Sequence, residues 1–133
     1  MKKIIFSLMF VTAALVFMNF TIIEESESKS NPMPTTIEIP NDVQEILDNS
    51  CYGCHNSESK NNKGKMKLKF DQLNDYKTHK VIGKLTDIAE VIAENDMPPA
   101  KILKKYPDMT LTDEQKETLS SWATATAKSL AGE

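Results

Sequence analysis

Apolar and polar positions fall into blocks along the chain. Residues 4–23 carry no charge and form one apolar run behind Lys2 and Lys3. At about 20 residues the run is long enough to span a bilayer, and it lacks the polar face that a buried helix of a soluble domain would keep. It predicts an export signal or membrane anchor over residues 1–23, and both a cleaved signal peptide and an uncleaved anchor fit it. Lysines before the run and acids after it predict that the rest of the chain lies outside the cytoplasm. Residues 24–40, EESESKSNPMPTTIEIP, mix serines, glutamates and three prolines, and predict a linker.

From Asn41 onward the apolar spacing turns helical. Val43, Ile46 and Leu47 share a face behind Asn41, a good N-cap. Phe70, Leu73 and Tyr76 predict a short helix, and Val81, Ile82, Leu85, Ile88, Ala89 and Ile92 a longer one over 78–95. A capping box formed by Thr112 and Gln115 opens a last helix that places Leu119, Trp122 and Leu130 near one face. Between these, Pro98 and Pro99 prevent regular helix through NDMPPAKILKKYPDM. The stretch NSESKNNKGKMKLK, with five lysines between 60 and 69, predicts a solvated loop. Only TTIEIP alternates like a strand over more than four residues, so residues 41–133 are expected to form one all-α domain of three to four helices.

Composition narrows the partners. The chain has 133 residues and a net charge of −3, and its sixteen basic residues are all lysine. No guanidinium fork is available for bidentate phosphate contacts, and nucleic acid is not an expected partner. Beyond residue 20 the aromatics are Tyr52, Phe70, Tyr76, Tyr106 and Trp122, few for a domain near the lower size limit of an independent core. A bound cofactor would supply apolar volume.

The chemistry concentrates in CYGCH, residues 51–55, which holds both cysteines and one of two histidines. Four readings compete. A Cys51–Cys54 disulfide would close a very small loop and leave His55 unexplained. A thioredoxin-like dithiol needs a strand-to-helix setting that this chain does not offer. A structural zinc needs four protein ligands, and the adjacency of His55 to Cys54 makes a tetrahedral set with His79 awkward. The fourth reading, haem, uses every side chain. On a helical turn Cys51 and Cys54 sit three apart, each able to add to a haem vinyl group, and His55 projects from a similar face to bind the iron. Small Gly53 would let the chain pass the haem edge closely.

For the opposite side of the iron Met97 leads, in a turn stiffened by Pro98 and Pro99; a Met/His pair raises the reduction potential. His79, in KTHKV, is the competing ligand, and core packing is the competing role for Met97. Trp122 is a candidate pocket wall whose indole N–H would reach a propionate; ordinary packing is the other reading. CYGCH, followed 42 residues later by MPP, resembles a small mono-haem c-type cytochrome. More narrowly, KLKFDQL, HKVIGKLTDIAEVIAENDMPP and LTDEQKETLSSWA resemble the bacterial haem-binding domain family over about residues 43–128.

That resemblance implies a cytochrome c-like fold around one covalently attached haem c, with Cys51 and Cys54 bonded to it and His55 and Met97 on the iron. It also implies assembly outside the cytoplasm, in the periplasm. The chain departs from family members that carry a Trp-Pro-rich stretch after the motif and a histidine after Met-Pro-Pro; here SESKNNKGKMK and Tyr106 stand instead. The expected function is one-electron transfer between redox partner proteins, not independent enzymatic catalysis. Alternatives are a haem-based sensor of small ligands and a haem subunit of a larger oxidoreductase. Lys60, Lys63, Lys65, Lys67 and Lys69, with Lys101, Lys104 and Lys105, are candidates for steering an acidic partner, though a merely solvated loop accounts for them too.

Overall fold

Two apolar stripes, each spaced at helical intervals, meet along the most extensive contact among the described residues. The computed structural model describes residues 36–133; the predicted segment 1–23 and most of the predicted linker lie outside the described residues. The described residues hold five α-helices: α1 (Asn41–Ser50), α2 (Asn62–Lys67), α3 (Thr78–Ala93), α4 (Ala100–Leu103) and α5 (Asp113–Ala131). Two short 3-10 segments, Phe70–Asp75 and Pro107–Met109, interrupt the connections, and no strand occurs among the described residues.

α3 buries Val81, Leu85, Ile88 and Ile92, the predicted stripe, with Ile82 and Ala89 half-buried at its margin. α5 answers with Leu119, Trp122, Ala123, Ala127 and Leu130. The small Ala123 and Ala127 let the two helix backbones approach, and the α3–α5 contact is the most extensive between described elements. α1 adds Val43, Ile46, Leu47 and Ser50 and packs on α5. Burying each large aliphatic side chain contributes about 1.5–3 kcal/mol against water.

Helix ends follow local chemistry. α5 opens on the predicted capping box: the Thr112 hydroxyl accepts the Gln115 N–H at 3.1 Å, and the Gln115 side chain accepts the Thr112 N–H at 2.9 Å. It closes at Gly132, whose φ of 81° is the left-handed conformation that glycine adopts without strain. α1 departs slightly from expectation, because Pro40 is the N-cap and Asn41 is already helical.

Two differences from the sequence reading matter more. The lysine-rich stretch is not loop throughout, since residues 62–67 form α2, capped by the Asn61 side chain accepting the Gly64 N–H at 3.2 Å. The folded unit also reaches back to Ile37, which is buried in the core. Asn74 clips that residue from both sides, accepting its N–H at 2.7 Å and donating to its carbonyl at 3.3 Å.

Candidate haem site

CYGCH continues directly from α1. Cys51 caps that helix, and its N–H and that of Tyr52 both donate to the Leu47 carbonyl, at 2.9 and 2.7 Å. The Cys51 carbonyl then accepts from the N–H groups of Cys54 and His55 at 3.1 and 3.0 Å. One hydrogen-bonded turn therefore carries all three residues, directly after the helix and not as part of it. Both thiols are free and half-buried. Burial, with Cys54 close by, pushes the Cys51 thiol up to about 12. A thiol held protonated at neutral pH is a poor attacking group for disulfide exchange, which counts against a redox dithiol.

His55 is half-buried, and desolvation lowers its pKa, opposed in part by the carbonyls of Leu68 and Gly64. The imidazole is thus neutral at pH 7, the form that donates a lone pair to a metal. Its Nδ1 is the one buried side-chain nitrogen or oxygen without a hydrogen-bond partner among the described residues. Such an atom is costly unless it serves a purpose. The edge of His55 meets the Phe70 ring, with centroids 6.3 Å apart and planes at 80°, and Tyr52 stacks on the same ring at 6.1 Å. Phe70 also donates its N–H to the His55 carbonyl at 3.0 Å.

The loop after the motif is tied down by polar side chains. The Ser59 hydroxyl donates to the Gly53 carbonyl at 3.0 Å and accepts the Asn61 N–H at 3.1 Å. Asn56 donates to the Tyr52 carbonyl, and Asp71 accepts from both the N–H and the hydroxyl of Ser57. α2 then seats against the motif: a Cβ at Gly64 would stand 2.5 Å from the Cys54 carbonyl oxygen, closer than real atoms approach. Gly53, singled out from the sequence as the small residue of the motif, has no protein atom within 4 Å of such a Cβ.

Met97 stands on a separate turn. α3 stops at Ala93, short of the predicted 95, in a Schellman motif: the Asn95 N–H donates to the Ile92 carbonyl at 3.2 Å and the Asp96 N–H to the Val91 carbonyl at 2.9 Å. Asn95 takes the left-handed position with φ 59°. Beyond Met97, Pro98 is buried and Pro99 caps α4. Met97 itself is 36 % exposed and outside the core, so it is not packing filler. His79 is exposed in the first turn of α3, as its lysine neighbours imply.

Of the two readings of Trp122, the structure shows the packed one. It is buried, and its indole N–H donates to the Glu38 carbonyl at 3.2 Å, which leaves that donor committed to the backbone.

The donor set fits a haem. Two free thiols and a neutral imidazole share one turn, and the Nδ1 of that imidazole is buried without a partner among the described residues. Among the described residues no three His, Cys, Asp or Glu side chains converge to hold a metal ion. Haem iron at His55 would bring its ring ligands with it, so a cluster of three such side chains is not required. Gly64, Phe70 and Asn95 were not singled out from the sequence as parts of a site; a glycine within a capped turn and an asparagine directly after an apolar stripe were the available signals.

An all-helical fold with such a turn defines a haem-binding class of protein. A family model described as haem-binding domain matches residues 58–125, just over half of the chain, and the protein belongs to that family. The matched span contains Met97 and begins just after CYGCH. Neither a curated protein nor a solved structure matches the chain.

Proposed function

We propose that this haem-binding protein is a small cytochrome c-like electron carrier with one covalently attached haem c. Cys51 and Cys54 would form the thioether bonds, and His55 and Met97 would be the protein ligands of the iron. The observation that carries this reading is the turn at 51–55, where one carbonyl gathers the N–H groups of Cys54 and His55 and thereby presents both thiols and a neutral imidazole together. Bound haem supplies a one-electron redox couple.

The chain's own residues position and insulate. Phe70 braces the His55 ring and Tyr52 extends the apolar surface, while the backbone of Leu68 and Gly64 lies close enough to favour a proton on the imidazole, against the desolvation that lowers its pKa. The Schellman turn on one side and the Pro98–Pro99 entry to α4 on the other restrict Met97, and a restricted thioether suits a carrier that keeps its ligands through each redox cycle. Covalent haem attachment and the apolar segment 1–23 together support export, with the domain periplasmic and either free or anchored in the inner membrane.

The test is expression of the full chain with a haem-attachment system. Haem that stays with the protein after denaturation is the expected result, together with a sulfur-to-iron absorption band that disappears in Met97→Ala. Dissociable haem overturns covalent attachment; a band that survives the substitution removes Met97 from the iron. Slow carbon monoxide binding to the reduced protein is expected of a closed carrier, and immediate binding would favour the sensor alternative.

A further inference from the structure

The outer side of α2 faces an open groove of about 710 Å³ shared with α3 and lined by Lys65, Met66, Lys69, Tyr76, Lys80, Gly83, Lys84 and Asp87. Four lysines and one aspartate meet there, on a chain whose overall net charge is −3. Lys80 and Lys84 stand one turn apart on α3, a like-charge spacing that destabilises a helix. The one salt bridge among the described residues is Lys116 with Asp113, far from the groove in sequence, so no acid of the described residues pairs with any of the four lysines.

Two of them are held by neutral groups. Lys69 donates to the Gln72 side chain at 3.1 Å, and Lys84 donates to the Lys67 carbonyl at 2.5 Å while its ammonium lies 4.7 Å from the centre of the Tyr76 ring. These contacts orient the charges without cancelling them. Among them Met66 is 84 % exposed, an apolar side chain left in water.

We propose that the α2–α3 groove is the docking face for an acidic protein partner, with Met66 as the apolar centre and Lys65, Lys69, Lys80 and Lys84 as the charged rim. An apolar centre within a polar rim is the usual anatomy of a protein interface. A concave basic face on an acidic molecule also orients an incoming acidic surface before contact. The groove selects among the lysines considered from the sequence: it uses Lys65 and Lys69, adds Lys80 and Lys84, and leaves out Lys101, Lys104 and Lys105 around α4. The inner side of the same helix touches the haem motif, because Gly64 seats on the Cys54 backbone. A partner in the groove is therefore separated from that motif by about one helix diameter, some 10 Å. That the partner is a redox protein rests on the electron-carrier reading; the docking itself does not.

The experiment is titration of the full-length purified protein with a poly-glutamate peptide at low ionic strength, followed by backbone amide shifts, with haem content measured separately. Shifts confined to residues 64–69 and 76–87 are expected, with binding weakened about tenfold by Lys80→Glu plus Lys84→Glu and unchanged by Lys101→Glu plus Lys104→Glu. Met66→Ala should weaken binding without altering its salt dependence. All of these substitutions are at exposed or half-buried positions, and an unchanged circular dichroism spectrum shows that the fold is intact. Peptide binding that persists in a preparation lacking covalent haem sustains the docking face while the electron-carrier reading falls. No peptide binding, shifts centred on α4, or binding to phosphatidylglycerol vesicles in place of the peptide overturns the proposal.

Discussion

The α3–α5 seam and the 51–69 segment are held by different forces. Along the seam, Leu85, Leu119 and Ala123 are almost fully removed from water and contribute through burial, which has no preferred direction. Around CYGCH the ties are directional: carbonyls of Leu47 and Cys51 gather four N–H groups, Ser59, Asn56 and Asp71 pin the loop, and one glycine allows close contact. Burial stabilises the domain as a whole, whereas the proposed iron ligand needs its angles fixed. Substitutions on the two sides should therefore fail in different observables.

The largest effect is expected on the seam. Leu85→Ala should lower stability by about 2–5 kcal/mol, the cost of the lost side chain and its cavity, while the folded fraction keeps a wild-type haem spectrum. Urea unfolding followed by absorption separates the two readouts; a changed spectrum would mean that seam and site are not independent. Gly64→Ala should come next, at about 1–3 kcal/mol for overpacking, and here the spectrum and reduction potential should shift because α2 must back away from Cys54 and carry its carbonyls away from His55. Gly53→Ala in the haem-free chain is the control, changing stability by no more than about 1 kcal/mol, because no protein atom contests its Cβ. An unchanged spectrum in Gly64→Ala would show that α2 does not set the imidazole.

Thr112→Ala, at the start of α5, should cost about 1 kcal/mol by undoing the capping box, and should leave the haem spectrum untouched. Thermal unfolding and absorption measure both parts, and a shifted spectrum would again couple the two regions.

The same contrast explains what could be read from the sequence. Apolar periodicity is local and repetitive, so the α3 stripe, the α5 face and the all-helical class were legible, as was the capping box, whose two partners lie three residues apart. The turn bearing Cys51, Cys54 and His55 was legible for the same reason. The support around it was not. Gly64 matters because of Cys54, Phe70 because of His55 and Asn74 because of Ile37, and pairs 10, 15 and 37 residues apart leave no periodic trace. α2 escaped because five lysines in ten residues, two of them outside the helix, look like solvated loop, although Asn61 caps it and Gly64 seats it. Trp122 stayed between pocket wall and ordinary packing because its backbone partner, Glu38, lies 84 residues away in a segment read as linker.

The smallest expected effect tests whether the polar ties hold the loop in solution. Asp71 accepts from the hydroxyl of Ser57, the main reason that its carboxyl lies below the usual carboxylate range; the Ser57 N–H and nearby Lys69 act in the same direction, against slight desolvation. The fold therefore favours the charged form. Its stabilisation is fully present above the unfolded carboxyl pKa, about 4, and is lost as pH falls through the lower value of the folded state. The group is exposed, so solvent screening limits the contribution to well under about 1 kcal/mol. Asp71→Asn should accordingly be slightly less stable than wild type at pH 5–7, and the two urea midpoints should converge in acid. A gap that stays constant with pH would mean that the carboxylate charge contributes nothing, leaving Phe70 and the seated α2 to hold this side of the site.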